Sequence, residues 1–301
     1  MRRFLKYFYH KTTIGHLLLS PIKYLYDIYH RHILPEKLYI KRTFKNVLGY
    51  NLNLKNPKTF NEKIQWLQLN NRKLLHTLCT DKYIVRNYVK DKIGEQYLVP
   101  LILQTYNPAE IIPENLPDFP CIIKTNHDCG GHIIVKDKFK VNWKNVQNIL
   151  KKSLKDNFYY RSREWQYKNI EPCIIVEKLL LDNQLNAPFE YRYFCANGKV
   201  AFSVILDRHA NSKIKFYDPN WNIIPYGIQN DIIDRPKNLS ILKKMQSLAE
   251  VLAKDFSFVR VDLYNVRRDI YFSELTFSPS AGYEVFDPPK WDRIFGDKLI
   301  L

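Results

Sequence analysis

The sequence predicts an α+β protein. Three observations carry that prediction. Short runs rich in β-branched and aromatic residues are bounded by polar turns, one late stretch shows a clear helical stripe, and strand and helix do not alternate regularly. Residues 1 to about 50 have helical spacing, broken at Pro21 and Pro35. Asn56-Pro-Lys-Thr-Phe-Asn-Glu-Lys-Ile-Gln-Trp66 reads as a turn leading into a helix, capped by Thr59 or Asn61, with Glu62 and Lys63 in its first turn. A second helix is expected from about Asp81 to Lys92, with Asp81 as its cap. Short apolar runs follow at Tyr97–Leu103, Cys121–Lys124, His132–Val135 and Ile174–Leu180. Tyr191–Ala196 and Lys199–Leu206 are joined by Asn197-Gly198, a dipeptide suited to a tight hairpin turn. Ser240–Lys254 sets Ile241, Leu242, Met245, Leu248 and Leu252 on one helical face. Two strands close the series, Phe258–Tyr264 and Tyr271–Phe277, with a polar turn over 265–270. No internal repeat or low-complexity tract is present.

Composition narrows the function classes. The 301 residues suffice for a substantial core and two or three lobes. Hydrophobic residues make up 46% of the chain, yet no apolar run approaches the roughly 20 residues that a spanning helix needs. The first residues lack a long apolar core and a small-residue cleavage site, so a cytoplasmic protein is expected. The five cysteines, Cys79, Cys121, Cys129, Cys173 and Cys195, are widely spread without a Cys-x-x-Cys pair. That argues against a disulfide framework or a zinc site. The net charge is +17, and the basic excess is strong in the first fifty residues, where aromatics and leucines lie between the basic side chains. Such a stretch suits the anionic inner surface of a membrane, a helical cap packed on the body, or, less readily, nucleic acid.

The last two strands carry the most chemistry. Side chains alternate faces along a strand, so Arg260 shares a face with Asp262, and Glu274 with Thr276. Pairing the two strands gathers two carboxylates, an arginine and a hydroxyl. Oxygen ligands on a rigid sheet suit Mg²⁺ carrying phosphates; the alternative is a solvated outer face of an edge hairpin. Upstream, Phe119–Val135 holds a strand ending in Lys124 and a loop containing Asp128, Gly130 and Gly131. Glycines let backbone amides approach an anion, and lysine supplies a point charge, although on this segment alone a plain Gly-Gly hairpin with an incidental lysine is the stronger reading. Neither a P-loop pattern nor Gly-x-Gly-x-x-Gly occurs. Cys173–Leu180 is an apolar strand ending in the charged pair Glu177 and Lys178, and Glu190 and Arg192 share a face of the next strand.

The order of these segments resembles the ATP-grasp superfamily. The Pro-Lys-Thr-Phe-Asn-Glu-Lys run, Asp81-Lys82-x3-Arg86 and Glu274-Leu-Thr-Phe277 look like its TupA-type branch, found in bacterial polysaccharide gene clusters. The resemblance spans roughly residues 50 to 295 and implies ATP clamped between two α+β subdomains. It divides the chain into a basic helical region at 1–55, a substrate or linker segment at 56–118, a small lid subdomain at 119–182 and a metal-binding subdomain at 183–301. By resemblance Lys124 contacts the α-phosphate or adenine side, the Asp128–Gly131 loop closes over the phosphates, and Arg86, where relatives usually carry lysine, reaches them too. Glu177, Lys178 and Leu180 line adenine and ribose, and Glu190 contacts ribose. Asp262 and Glu274 hold Mg²⁺ and Arg260 stabilises the transferred phosphoryl group. Thr276 stands where the superfamily usually has Asn.

The implied reaction is ATP-dependent ligation: an acylphosphate forms on a glycan uronic acid, and an amino acid or other amine then makes the amide. The acceptor would be an acidic or lipid-linked glycan, and Arg192, Ser280 and Tyr283 are expected to contact it, with Glu284 close by and His127, His132 and His209 as further candidates. Rival readings are a glycosyltransferase of a capsule or O-antigen cluster and a sugar kinase. The chain has neither Asp-x-Asp nor Rossmann-like alternation, which weighs against the former.

Overall fold

A computed structural model describes residues 33–182, 186–207, 213–226 and 239–301, with Pro21, Leu25, Ile28 and Tyr29. Of the basic helical region expected over 1–55, residues 1–20, 22–24, 26–27 and 30–32 lie outside the described residues, as does His209. Among the described residues no helix is long and apolar enough to cross a membrane.

Helix α1 (Glu36–Leu48) starts directly after Pro35 and stops at Gly49, whose φ of 82° is left-handed. Helix α2 (Phe60–Asn70) is capped by Thr59, one of the two expected candidates. The Thr59 side chain accepts from the Glu62 backbone N–H, and the Glu62 carboxylate accepts from Asn53, Lys58 and Thr59 amides at 3.0, 2.8 and 3.2 Å. Asn61, the other candidate, is used elsewhere. A short helix α3 (Leu74–Thr80), which no periodicity announced, precedes α4 (Val85–Ile93). The second helix therefore begins later than expected. Asp81 Oδ1 accepts from the Tyr83 and Ile84 amides, while its Oδ2 accepts from Asn126 Nδ2. The Lys82 amide also donates to the Asn126 carbonyl at 3.1 Å. The turn at 81–84 is thus tied to a strand end of the next lobe and capped by the Asp81 side chain, and regular helix begins at Val85.

Strands β1 (Leu101–Thr105), β2 (Cys121–Thr125), β3 (His132–Val135) and β4 (Ile174–Lys178) form a four-stranded antiparallel sheet in the order β1-β4-β2-β3. Helix α5 (Trp143–Ser153) covers one face, where Cys121, Ile123, Ile174 and Val176 pack with Val146 and Leu150. Residues 101–105, which the sequence reading puts in the preceding segment, belong to this sheet.

The second sheet has six antiparallel strands in the order β10-β9-β5-β6-β7-β8. These are β5 (Glu190–Ala196), β6 (Lys199–Asp207), β7 (Lys213–Tyr217), β8 (Ile223–Ile224), β9 (Phe258–Val266) and β10 (Asp269–Thr276). Asn197 and Gly198 take φ of 50° and 76°, the two-residue turn their identity suggests. The β9–β10 turn is tighter than the expected 265–270 segment: only Arg267 and Arg268 are unpaired, both at positive φ. Helix α6 (Leu239–Ala253) lays Leu242, Met245, Ala249 and Leu252 on one sheet face, against Tyr193, Val259, Val261 and Leu263. Val85 and Val89 of α4 join that core, so α4 ties the large lobe to the small one. The opposite face is apolar only at one end. There α2 and α7 (Lys290–Asp297) bury Phe60, Ile64, Trp291 and Phe295 on Phe202 and Phe258. Segment 56–93 therefore packs with the large lobe. The other end of that face is polar.

Candidate active site

The polar end is set by strand register. Arg192 of β5 stands opposite Asp262 of β9, and Asp262 opposite Glu274 of β10. Uninterrupted alternation in β10 would put Phe272 on the same face as Glu274 and Thr276. A bulge between Phe272 and Glu274 resolves the conflict, as bulges do when they re-aim a side chain. Ile270, Phe272, Leu275 and Phe277 all reach the core, while Glu274 and Thr276 stay on the polar face.

Arg260 holds this cluster together. Its Nε donates to both Asp262 oxygens at 2.8 and 3.1 Å, and one terminal nitrogen donates to Asp262 at 2.6 Å and Glu274 at 2.7 Å. Arg192 donates to Glu190 at 3.0 Å, and its Nε lies 3.8 Å from Asp262. The Thr276 hydroxyl donates to Glu274 Oε1 at 2.9 Å, orienting that carboxylate. Asp262 is wholly buried. Burial pushes its carboxyl up, the Glu190 and Glu274 charges push the same way, and Arg260 opposes them. For Glu274 burial also favours the neutral acid, but Arg260 and Lys82 overcome it and hold the carboxyl down at about 2.

A cationic set faces these groups from the small lobe and the α4 turn. Lys124 meets Glu177 at 2.6 Å and Arg86 meets the other Glu177 oxygen at 2.9 Å. Lys82 donates to the Asp128 carbonyl and lies 3.7 Å from its carboxylate. Burial lowers the Lys82 ammonium pKa, while Asp128 and Glu274 oppose the shift. The loop after β2 therefore lies over Glu274. Gly130 has φ of 84°, a left-handed conformation that favours glycine, and Gly131 packs against the Asp128 carboxylate.

The expected residues fall into these two groups. Glu190, Arg192, Arg260, Asp262, Glu274 and Thr276 come together on one sheet; Lys124, Glu177 and Arg86 come together in a second group, and Asp128 pairs with Lys82. Lys178 is exposed with its ammonium over the Phe119 ring, and Leu180 is half-buried just beyond β4. Ser280 is exposed and bonds Glu284, while Tyr283 packs edge-on against Phe44. His127 is structural: it is 2% exposed, and its Nε2 faces the Ser153 and Asp156 carbonyls at 3.2 and 3.0 Å.

Sequence reasoning missed three participants. Lys82 acts on Glu274 together with Arg260. Glu164 is 6% exposed, and burial pushes its carboxyl up to about 8, with Glu274 adding to the shift and Arg260 opposing it. Burial likewise raises the Tyr167 phenol, reinforced by the Glu164 and Glu274 charges. Lys82 stood in a recognisable motif, but Glu164 and Tyr167 lie in a segment without strand or helix periodicity.

The donor set fits Mg²⁺ bound together with phosphates. Among the described residues no group of three or more His, Cys, Asp or Glu side chains could hold a metal alone. Mg²⁺ commonly takes only one or two carboxylates and fills its other positions with water and phosphate oxygens. Asp262 and Glu274, side by side on adjacent strands, meet that requirement.

Two antiparallel sheets with a charged cleft between them define an α+β clamp of the ATP-grasp kind, and a family model narrows the class. The TupA-like ATP-grasp model matches residues 62–300, so the chain belongs to that family. A search of curated proteins finds no match. Among solved structures, D-alanine–D-alanine ligase from Helicobacter pylori is 12% identical, with 81% of this chain and 68% of that one covered and a TM-score of 0.44. The corresponding Bacillus anthracis enzyme is 18% identical at a TM-score of 0.39, covering 66% of this chain. This chain spans 57% of its length. L-amino acid ligase from Bacillus licheniformis is 13% identical, with 74% and 49% covered and a TM-score of 0.42.

Proposed function

We propose that this protein is an ATP-dependent carboxylate–amine ligase that acts on an acidic glycan. The observation that carries the reading is the opposition of two charge sets across the cleft. Lys82, Arg86 and Lys124 form one wall, and Glu190, Arg192, Arg260, Asp262 and Glu274 the other. Phosphoryl transfer needs little covalent help from a protein; it needs positioning and charge neutralisation, which these residues supply.

Asp262 and Glu274 would hold Mg²⁺, which when bound neutralises charge on the phosphate oxygens. Lys124 and Lys82 offer ammonium groups to the phosphates, and Glu177 keeps Lys124 and Arg86 extended toward the cleft. Glu190 and the strand end at Lys178 and Leu180 are assigned to ribose and adenine. Arg260 presents guanidinium N–H groups where charge gathers during transfer. An acceptor carboxylate oxygen attacks the γ-phosphorus and ADP leaves. The amine nitrogen then attacks the acyl carbon, the acyl–oxygen bond breaks, phosphate departs with that oxygen, and the nitrogen loses a proton. Arg192, Ser280 and Tyr283 are assigned to the acceptor.

The acceptor is a uronic acid of a cell-surface glycan or its lipid-linked precursor, and the co-substrate is an amino acid or related amine. The charge of +17 supports an acidic acceptor and peripheral contact with an anionic membrane surface. The test is phosphate release from Mg-ATP with uronic-acid oligosaccharides, with and without mixed amino acids. The reading requires release that depends on both and a product heavier by one amide-linked residue. A phosphorylated sugar would mark a kinase instead.

A further inference from the structure

Helix α2 carries a second buried face that its apolar stripe does not explain. Asn61, Gln65 and Gln68 recur at i, i+4 and i+7, one face of a helix, and are 0%, 0% and 3% exposed. Buried amides need partners. Here the backbone hydrogen bonds of these side chains all run to one stretch just after Thr276, and Gln65 also meets the Tyr283 side chain. Asn61 Nδ2 donates to the Glu284 carbonyl and its Oδ1 accepts from the Glu284 amide, both at 2.8 Å, the paired exchange of a strand ladder. Gln65 Nε2 donates to the Ala281 and Gly282 carbonyls at 2.8 and 3.1 Å, and Gln68 Nε2 donates to Ala281 at 3.1 Å.

The stretch they hold is unusual. Ser280, Ala281 and Gly282 take φ of 50°, 51° and 72°, three left-handed residues in a row, two of them with side chains. A Cβ on Gly282 would meet Gln65 Nε2 at 2.6 Å, so the loop backbone lies flush against the helix. A connector that only reverses the chain has no need of such a conformation; strained backbone fixed from outside belongs to sites where geometry matters. Ser280 and Glu284, at the outer edge, are exposed and bonded to each other. None of the three amides hydrogen-bonds Lys82, Lys124 or Glu177.

We propose that Asn61, Gln65 and Gln68 are positioning residues for the acceptor, locking 280–284 into the left-handed turn that presents Ser280 and Glu284 to the glycan. The inference rests on the ligase reading and assigns its acceptor recognition, as distinct from nucleotide binding, to α2.

The test uses the full chain and two variants, Gln65→Met and the milder Gln68→Met, the second serving where the first does not fold. Amide hydrogen exchange over 279–284 is expected to quicken about tenfold or more in the variants, with exchange at β9 unchanged. Mg-ADP affinity by calorimetry should stay within about twofold, while KM for a uronic-acid oligosaccharide rises about tenfold or more and KM for ATP holds. Unchanged exchange with intact turnover overturns the clamp. Mg-ADP affinity falling in step with acceptor use overturns the positioning role in favour of a purely structural one. Absence of acceptor-dependent turnover in the wild type contradicts the ligase reading and removes the acceptor role, whatever the exchange shows.

Discussion

Arg260→Met perturbs the charge balance of the cleft at its centre. The guanidinium makes three contacts of 2.6–3.1 Å with Asp262, which is wholly buried, and one of 2.7 Å with Glu274. Methionine fills much of the same volume but leaves Asp262 with Arg192, at 3.8 Å, as its nearest cation. Breaking a buried pair at one partner costs about 3–5 kcal/mol, because the remaining charge is neither solvated nor paired. For a chain of this length that is a fall in melting temperature of about 5–8 °C. Asp262→Asn alone should cost less, since Arg260 keeps Glu274 at 2.7 Å. The double variant removes both charges, so its loss should be smaller than the sum by about 1–3 kcal/mol. The assay is chemical denaturation of the wild type, both single variants and the double variant. Additive losses, or an Arg260→Met protein as stable as the wild type, would refute the reasoning.

Other expectations follow from the same geometry. Asp262→Asn and Glu274→Gln should each lower kcat by about 10²–10³-fold, while ATP affinity measured by calorimetry changes much less. His76 is buried against Phe277, Phe256 and Trp165, and that burial lowers its pKa to about 4. Its folded value lies below its unfolded one, so the unfolded chain takes up a proton first as pH falls. Stability should drop by about 3 kcal/mol between pH 6.5 and 4 and then level off, and His76→Phe should flatten that limb in a denaturation series. Glu62→Ala orphans the Asn53, Lys58 and Thr59 amides and should cost about 2–3 kcal/mol in urea unfolding.

Local chemistry made much of this protein legible. Thr59 is one of the two caps its segment offers, Asn197-Gly198 announces a two-residue turn, and Leu242, Met245 and Leu252 the buried face of α6. Arg260, Asp262, Glu274 and Thr276 could be grouped because strand alternation is a short-range rule. What depended on long-range packing was hidden. The turn that precedes α4 is tied to Asn126 across the lobes through Asp81 and Lys82. The β10 bulge and the membership of 101–105 in the small sheet are decisions of pairing, which no window of sequence contains. Glu164 sits buried on irregular backbone, so nothing periodic marks it. The amide stripe of α2 is visible as spacing, yet looks like a solvated face until its loop is in place.

The most direct test of the central claim follows an oxygen atom. An acceptor oligosaccharide labelled with ¹⁸O in its uronic-acid carboxylates is incubated with the protein, Mg-ATP and amino acids, and the released phosphate is analysed by mass spectrometry. Ligation through an acylphosphate predicts one ¹⁸O in each phosphate formed, together with amide product in equal amount. Phosphate released without label alongside product would contradict the account.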